Sequence, residues 1–201
     1  MRRLTDTDSA IAYSTDLLRS DRIYLREVRD EDLGQFTRWW NDPATLTLQQ
    51  STARPVPEGA TVDRFREWTR TMTLQDFGLA VVRASDDTLI GQAGLKLEQY
   101  GRSAEFVIVL GPEYTSQGYG TEAVRLMLRF GFAELGLHRI ELWVWAYNTR
   151  AIAAYRSAGF IEEGRRRDVA FHNGQYCDEV IMSVLENEWR RSAERQQDSA
   201  S

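Results

Sequence analysis

The pattern of hydrophobic and polar residues along this chain of 201 residues changes period several times. Strict alternation, as in Arg22–Val28, predicts a half-buried strand, whereas apolar residues three and four apart, as in Glu31–Asn41, predict an amphipathic helix. We expect Asp30 to cap that helix. The strands predicted in this way are Arg22–Val28, Phe77–Arg83, Thr88–Leu97, Ala104–Leu110, Arg139–Trp145, Phe160–Ala170 and Tyr176–Leu185. The predicted helices are Glu31–Asn41, Ala60–Leu74, Tyr119–Leu135 and Thr149–Ala158.

The order of these elements, βααβββαβαββ, predicts an α/β fold whose central sheet is mixed, mostly antiparallel and flanked by helices. The length suits one domain, which we place at residues 21–189. Residues 1–20 show no sustained period and residues 190–201 are mostly polar, so we expect both segments to be flexible.

The bulk composition excludes several classes of function. A net charge of −5 argues against nucleic acid as a general partner, because binding phosphates needs a concentrated basic surface. Cys177 is the only cysteine, which excludes an intrachain disulfide and a multi-cysteine metal site. The two histidines, His138 and His172, have no second ligand at metal spacing, so no metal is expected. No apolar stretch is long enough for a membrane helix and no signal peptide is apparent, which favours a cytoplasmic protein without a membrane partner.

The segment Leu110–Ala123 (LGPEYTSQGYGTEA) carries the clearest chemical signal in the chain. A predicted strand ends there, a loop of small residues follows, and a helix begins at Gly118 and Gly120. Glycines let successive backbone N–H groups point toward one place, and the start of a helix adds the positive end of its dipole. The sequence therefore predicts an anion site that suits a pyrophosphate.

Three alternatives compete for this segment. A P-loop would end in Gly-Lys-Ser/Thr, which is absent. Residues 118–123 formally match the dinucleotide pattern G-x-G-x-x-G/A, but seven residues separate them from the strand, and Glu141 lies at the wrong end of the next strand to hold a ribose. The third alternative is a tight structural loop that binds nothing.

The longer stretch Glu105–Phe160 closely resembles the acetyl-CoA-binding half of the GCN5-related N-acetyltransferase (GNAT) superfamily. The nearest pattern is that of the ribosomal-protein N-terminal acetyltransferases and the spermidine acetyltransferases. A looser resemblance extends to Ile23–Asp42 and Asp178–Trp189, so it covers most of the chain. It implies the GNAT fold, acetyl-CoA as acetyl donor and direct transfer of the acetyl group to an amine.

The resemblance also implies which residues bind the cofactor. The family loop Gln/Arg-x-x-Gly-x-Gly/Ala falls on residues 115–120, and Thr115 departs from it at the first position. In the family the preceding strand is bulged and splayed at the position of residues 108–110, so that its backbone can pair with the pantetheine arm and polarise the thioester carbonyl. The implied cofactor-binding residues are Ile108, Val109, Leu110, Thr115, Ser116, Gln117, Gly118, Tyr119, Gly120, Thr121, Asn148 and Tyr155.

Two residues are the predicted catalytic groups. Tyr155 matches the family tyrosine that faces the thioester sulfur, and a phenol held against a departing thiolate can act as a general acid. Glu105, near the start of the splayed strand, is the predicted base, acting through water. The alternatives are that Tyr155 is a core residue on a short helix and that Glu105 is a solvated carboxylate at a strand edge.

The acceptor pocket is expected between the first two helices, their connecting loop and the last two strands. Trp39, Trp40 and Trp68 are either pocket or core residues. The closest resemblance implies an α-amine of a protein or peptide as acceptor. The alternatives are a small amine, such as a polyamine or an aminoglycoside, and a module that binds acyl-CoA without turnover. Exposed strands at the end of the chain are compatible with a homodimer.

Overall fold

The computed structural model describes residues 4–70, 76–98 and 101–198, which form one seven-stranded sheet with helices on both faces. The strands are β1 (Ile23–Glu27), β2 (Asp76–Arg83), β3 (Thr88–Leu97), β4 (Ser103–Leu110), β5 (Arg139–Trp145), β6 (Ile161–His172) and β7 (Gln175–Leu185). The helices are α1 (Thr7–Leu17), α2 (Asp30–Trp40), α3 (Leu46–Gln49), α4 (Glu58–Arg70), α5 (Tyr119–Ala133), α6 (Thr149–Ala158) and α7 (Glu186–Asp198). The predicted fold class is confirmed, and the predicted order of elements recurs with α1, α3 and α7 in addition.

Local differences from the predicted boundaries are small. The helix α2 begins at Asp30, so Asp30 is not its cap; instead, the Asp32 carboxylate accepts the backbone N–H of Arg29 at 2.8 Å. The same carboxylate accepts two hydrogen bonds from Arg26, at 2.7 and 3.0 Å, which ties α2 to β1. The predicted end of the next helix, at Leu74, lies outside the described residues.

The segment before β1, which we expected to be flexible, contains α1. Asp6 caps this helix by accepting the N–H of Ser9 at 2.8 Å, and Arg129 of α5 donates to the carbonyl of Leu17 at the same distance. The last segment is likewise helical within α7. A side-chain cap and contacts with α5 support α1 although it buries no residue, and the flexibility of both segments stays a prediction.

The strands lie in the order β1-β2-β3-β4-β5-β7-β6, and every neighbouring pair is antiparallel except β4 and β5. These two strands pair only at their first three residues, where Ser103 faces Arg139 and Glu105 faces Glu141. Beyond Glu105 they diverge, so the side of β4 that faces β5 lacks a strand partner within the described residues. The predicted splay is therefore present.

The bulge expected at residues 108–110 of β4 is absent. β4 pairs with β3 from Ala104 to Leu110 without a shift in register. The irregularity lies one strand pair away, where Val81 faces Gly91 and Val82 faces Leu89, so that Ile90 is the extra residue of β3. The uninterrupted β3–β4 ladder pairs the backbone groups on one side of β4. The divergence from β5, without a bulge, leaves the backbone groups on the other side unpaired by a strand.

Two hydrophobic clusters cover opposite faces of the sheet. Alternation along β5 places Ile140, Leu142 and Val144 in the larger cluster, against the apolar faces of α5 and α6. The smaller cluster packs α2 and α4 onto β2 and the end of β4. The strand β6 is an exposed sheet edge, and the homodimer remains a prediction. No helix of the described residues is both long and apolar enough to cross a membrane.

Candidate active site

The divergence of β4 and β5 opens a cleft of about 520 Å³. One end of the cleft reaches the loop before α5, and the other end reaches α2, α3 and α4. It contains most of the residues that the sequence predicts for the site: Glu105, Ile108, Val109, Leu110, Thr115, Ser116, Gly118, Gly120, Thr121, Asn148 and Tyr155. Gln117 and Tyr119 are not part of the lining, because Gln117 donates to the carbonyl of Glu113 and the Tyr119 ring lies under a guanidinium.

The loop at the start of α5 has the backbone that an anion site requires. Gly118 is the N-cap of α5 with φ of +86°, a left-handed conformation that costs other residues about 1 to 2 kcal/mol. Arg22 of the loop before β1 donates to the carbonyl of Gln117 at 3.0 Å and to the Glu122 carboxylate at 2.6 Å, which fixes the loop from behind. The first N–H groups of α5 therefore face the cleft without helical partners.

Arg150 is a site residue that the sequence analysis missed. It lies in the first turn of α6, lines the cleft, and directs its guanidinium to the hydroxyls of Thr115 and Ser116 at 3.3 and 3.2 Å. The first turn of a helix disfavours cations because of the helix dipole, so an arginine there was a usable signal. The structure places a positive charge beside Thr115, the position where the family pattern has Gln or Arg.

Asn148 holds the start of α6 in place. Its side-chain oxygen accepts the N–H of Ala151 at 3.2 Å, as expected for an N-cap. Its amide nitrogen, on the cleft wall, has no hydrogen-bond partner among the described residues. Asn148 can therefore cap the helix with one atom and donate to a ligand with the other.

Tyr155 reaches the cleft from the opposite side of the sheet to Glu105. Its ring contacts the rings of Phe106 and Phe160, with centroids 6.4 and 5.9 Å away. Burial among these apolar groups raises the pKa of Tyr155 to about 12, so its hydroxyl stays protonated at neutral pH. Tyr155 is thus both a core-packing residue and a hydroxyl donor on the cleft wall.

Glu105 is not a solvated edge carboxylate. It lies opposite Lys96 in the β3–β4 ladder, and the Lys96 ammonium donates to both of its oxygens at 3.1 and 3.3 Å. The same ammonium lies 4.8 Å from the centre of the Trp68 ring. Lys96, Glu105 and Trp68 all line the end of the cleft near α4.

The remaining residues at this end are aromatic and charged. Trp40 lines the cleft, whereas Trp39 is only 3% exposed and belongs to the core between α2 and the sheet. Arg64 lies over the rings of both Trp40 and Trp68, at 5.0 and 5.2 Å. Within the described part of the chain, no group of three or more His, Cys, Asp or Glu side chains is placed to hold a metal ion.

Comparison with known proteins gives a consistent result. The family model for the acetyltransferase (GNAT) domain matches residues 22–161. Spermidine N(1)-acetyltransferase of Vibrio cholerae serotype O1 is 34% identical over 115 residues, which are 57% of this chain and 66% of that protein. YdaF of Bacillus subtilis strain 168, provisionally named a ribosomal N-acetyltransferase, is 34% identical over 105 residues, 52% of this chain and 57% of that protein. Each match thus spans less than two thirds of the relative.

Among solved structures, the spermidine N-acetyltransferase from Vibrio cholerae in complex with CoA and spermine superposes with a TM-score of 0.75. It is 26% identical to this chain, and the match covers 85% of this chain and 99% of that one.

Proposed function

Because the chain belongs to the GNAT acetyltransferase family, we propose that it transfers the acetyl group of acetyl-CoA directly to the α-amine of a protein or peptide. The family and the donor follow from the match over residues 22–161 and from the CoA held by the similar structure. The choice of acceptor rests on the charges at the α4 end of the cleft.

Those charges suit one amine better than a chain of ammonium groups. Among the described residues, two carboxylates line the cleft, and both are already paired: Glu105 with Lys96, and Glu179 with Arg166, whose Nε donates at 2.7 Å. Arg64 has no carboxylate within ion-pair distance among the described residues. A polyamine carries several ammonium groups and needs unpaired carboxylates to offset their desolvation. This inventory of paired acids is the observation that carries the proposal.

The ionisation of the acceptor points the same way. An α-amine has a pKa near 8 and is partly neutral at pH 7.5, whereas an alkylammonium near 10.4 requires roughly 4 kcal/mol to lose its proton there. Glu105 is shared with Lys96, which competes for its oxygens. A site of this kind accepts most readily an amine that needs little help from a base.

The end of the cleft near α5 suits the donor's phosphates. The N–H groups at Gly118 and Gly120 and the helix dipole attract anions, and Arg150 adds a charge. We propose that Arg150 replaces the missing side chain at Thr115, so that binding is retained despite that departure. The unpaired edge of β4 at residues 106–110 is left for the pantetheine arm, and Asn148 for one further hydrogen bond.

We assign the catalytic roles to two residues that line the cleft, Glu105 and Tyr155. When bound, acetyl-CoA supplies an acetyl thioester. The new N–C bond forms as the C–S bond breaks, the proton leaving the amine passes through water to Glu105, and Tyr155 donates a proton to the departing sulfur. A backbone N–H of β4 stabilises the oxygen of the carbonyl.

A second acceptor class has a specific observation in its favour, since the sequence relative from Vibrio and the similar structure are both spermidine acetyltransferases. A thiol-release assay with acetyl-CoA against N-terminal peptides, polyamines, aminoglycosides and amino acids distinguishes the classes. Release with peptides supports the proposal, and release with polyamines alone would replace it. Tight binding of acetyl-CoA without release from any acceptor would indicate a non-catalytic acyl-CoA module.

A further inference from the structure

The single lysine of this protein lies in the cleft. Lys96 is the only lysine among 25 Lys and Arg residues, so every other basic position in the chain is arginine. Its ammonium is held between a carboxylate, that of Glu105, and the face of an aromatic ring, that of Trp68. Its side chain is 31% exposed and that of Glu105 is 22% exposed, so water reaches the pair through the cleft.

We propose that Glu105 and Trp68 form a subsite for a primary ammonium group, and that Lys96 fills this subsite in the free protein. Lys96 is then a specificity-determining residue: it keeps fully charged alkylammonium acceptors out and leaves amines of lower pKa as substrates. This inference rests on the proposed function, because it assigns the subsite to the acceptor.

The chemistry of the subsite supports an ammonium occupant. A carboxylate offers charge-assisted hydrogen bonds, and an indole face attracts a cation, with each interaction stronger in a partly dry cleft than in water. Both partners line the same cleft as Tyr155. A ligand ammonium that enters the subsite is therefore in the same space as the proposed reacting groups.

Lysine suits a removable occupant better than arginine does. A lysine ammonium is a compact, strongly hydrated charge on a flexible stem, whereas a guanidinium forms a rigid two-pronged contact with a carboxylate. Arg64 lies 5.2 Å from the same Trp68 ring, so a second positive charge stands beside the subsite. Together the two cations oppose the entry of a polyamine more than that of a single, partly neutral amine.

The test measures binding of two probes, n-propylammonium and spermidine, by calorimetry without acetyl-CoA. We expect Lys96→Met to bind both about tenfold more tightly than the wild-type protein, because the carboxylate and the ring are left vacant. Lys96→Arg keeps the charge and is the matched control, with no gain expected. Adding Glu105→Gln or Trp68→Leu to Lys96→Met should abolish the gain. Unchanged affinity in Lys96→Met, or a gain that survives Glu105→Gln, would overturn the proposal.

A second measurement avoids substitutions altogether. Acylating the wild-type protein with an amine-reactive acetate ester modifies Lys96 and otherwise only the α-amino group, since the chain has no other lysine. Acetylation removes the positive charge of Lys96 but keeps its side chain in place, so the modified protein should bind both probes more tightly than the wild-type protein and less tightly than Lys96→Met. An affinity equal to that of the wild-type protein would contradict the proposal. The thiol-release assay is separate: if no amine is acetylated while Lys96→Met still gains affinity, the proposed transfer fails and the ammonium subsite stands.

Discussion

Replacing Tyr155 with Phe removes one hydroxyl from the cleft and little else. The ring contacts with Phe106 and Phe160 do not involve the hydroxyl, so the variant should fold and pack as the wild-type protein does. A hydrogen bond to a charged partner contributes about 1.5 to 3 kcal/mol, and each 1.36 kcal/mol is tenfold in rate. If Tyr155 donates to the departing sulfur, kcat should fall roughly 10- to 150-fold.

The pKa of Tyr155 sets the conditions of this test. A value of about 12 lies well above that of a free thiol, near 8.5, but burial in the same apolar cleft raises a thiol's pKa as well. The donor form of Tyr155 is present at every pH below about 12, so the wild-type rate should show no loss between pH 9 and 11 from ionisation of this residue.

Two assays separate catalysis from binding. Single-turnover thiol release reports the chemical step, and calorimetry reports the affinity for acetyl-CoA, which should change less than about twofold. A single-turnover rate within about twofold of the wild-type rate would refute the general-acid role. A loss of acetyl-CoA affinity with an unchanged single-turnover rate would instead assign Tyr155 to binding alone.

Three further predictions test the anion site and the burial of Tyr155. Arg150→Gln should weaken acetyl-CoA binding about tenfold at low salt and less at high salt, because salt screens an exposed charge at the mouth of the cleft. The control is Arg156→Gln on the same helix, where the arginine pairs with Glu162. Equal losses of acetyl-CoA affinity in both variants would contradict the assignment of Arg150 to the anion site. Gly118→Ala places a Cβ 2.8 Å from the Arg22 guanidinium at φ of +86°, and should weaken acetyl-CoA binding at least tenfold by calorimetry. The control is Gly174→Ala, at a similar positive φ in the β6–β7 hairpin, where an added Cβ meets no atom within 4 Å. It should destabilise that hairpin and leave acetyl-CoA binding unchanged. A loss of acetyl-CoA binding in both variants would indicate a general effect on the fold. Between pH 10 and 12 Tyr155 loses its proton in the unfolded protein but keeps it in the folded one, so stability that is fully present below pH 10 is lost as the pH rises. In urea titrations over this range, the unfolding free energy of the wild-type protein should fall by roughly 2 to 3 kcal/mol relative to that of Tyr155→Phe. The same pH dependence of unfolding free energy in both proteins would exclude the raised pKa.

Features with local causes could be predicted from the sequence. The alternation in Arg139–Trp145 and the boundaries of α6 recur in the structure as the pattern indicates. Asn148 caps α6 and Gly118 takes a positive φ, because each requirement is met by neighbouring residues in the chain. For the same reason the contiguous stretch from β4 to α6 was sufficient to indicate the donor site.

The charges at the acceptor end depend on the tertiary structure alone. Lys96, Glu105 and Trp68 come from β3, β4 and α4, and only the register of the β3–β4 ladder places the first two opposite each other. The contact of Arg150 with Ser116 spans 34 residues and depends on how α6 packs beside α5. Sequence by itself determined the family and the donor, whose recognition rests on local backbone geometry. The tertiary structure decided which carboxylates are already paired, because pairing depends on distances between segments that lie far apart in the chain, and our proposal for the acceptor rests on that pairing.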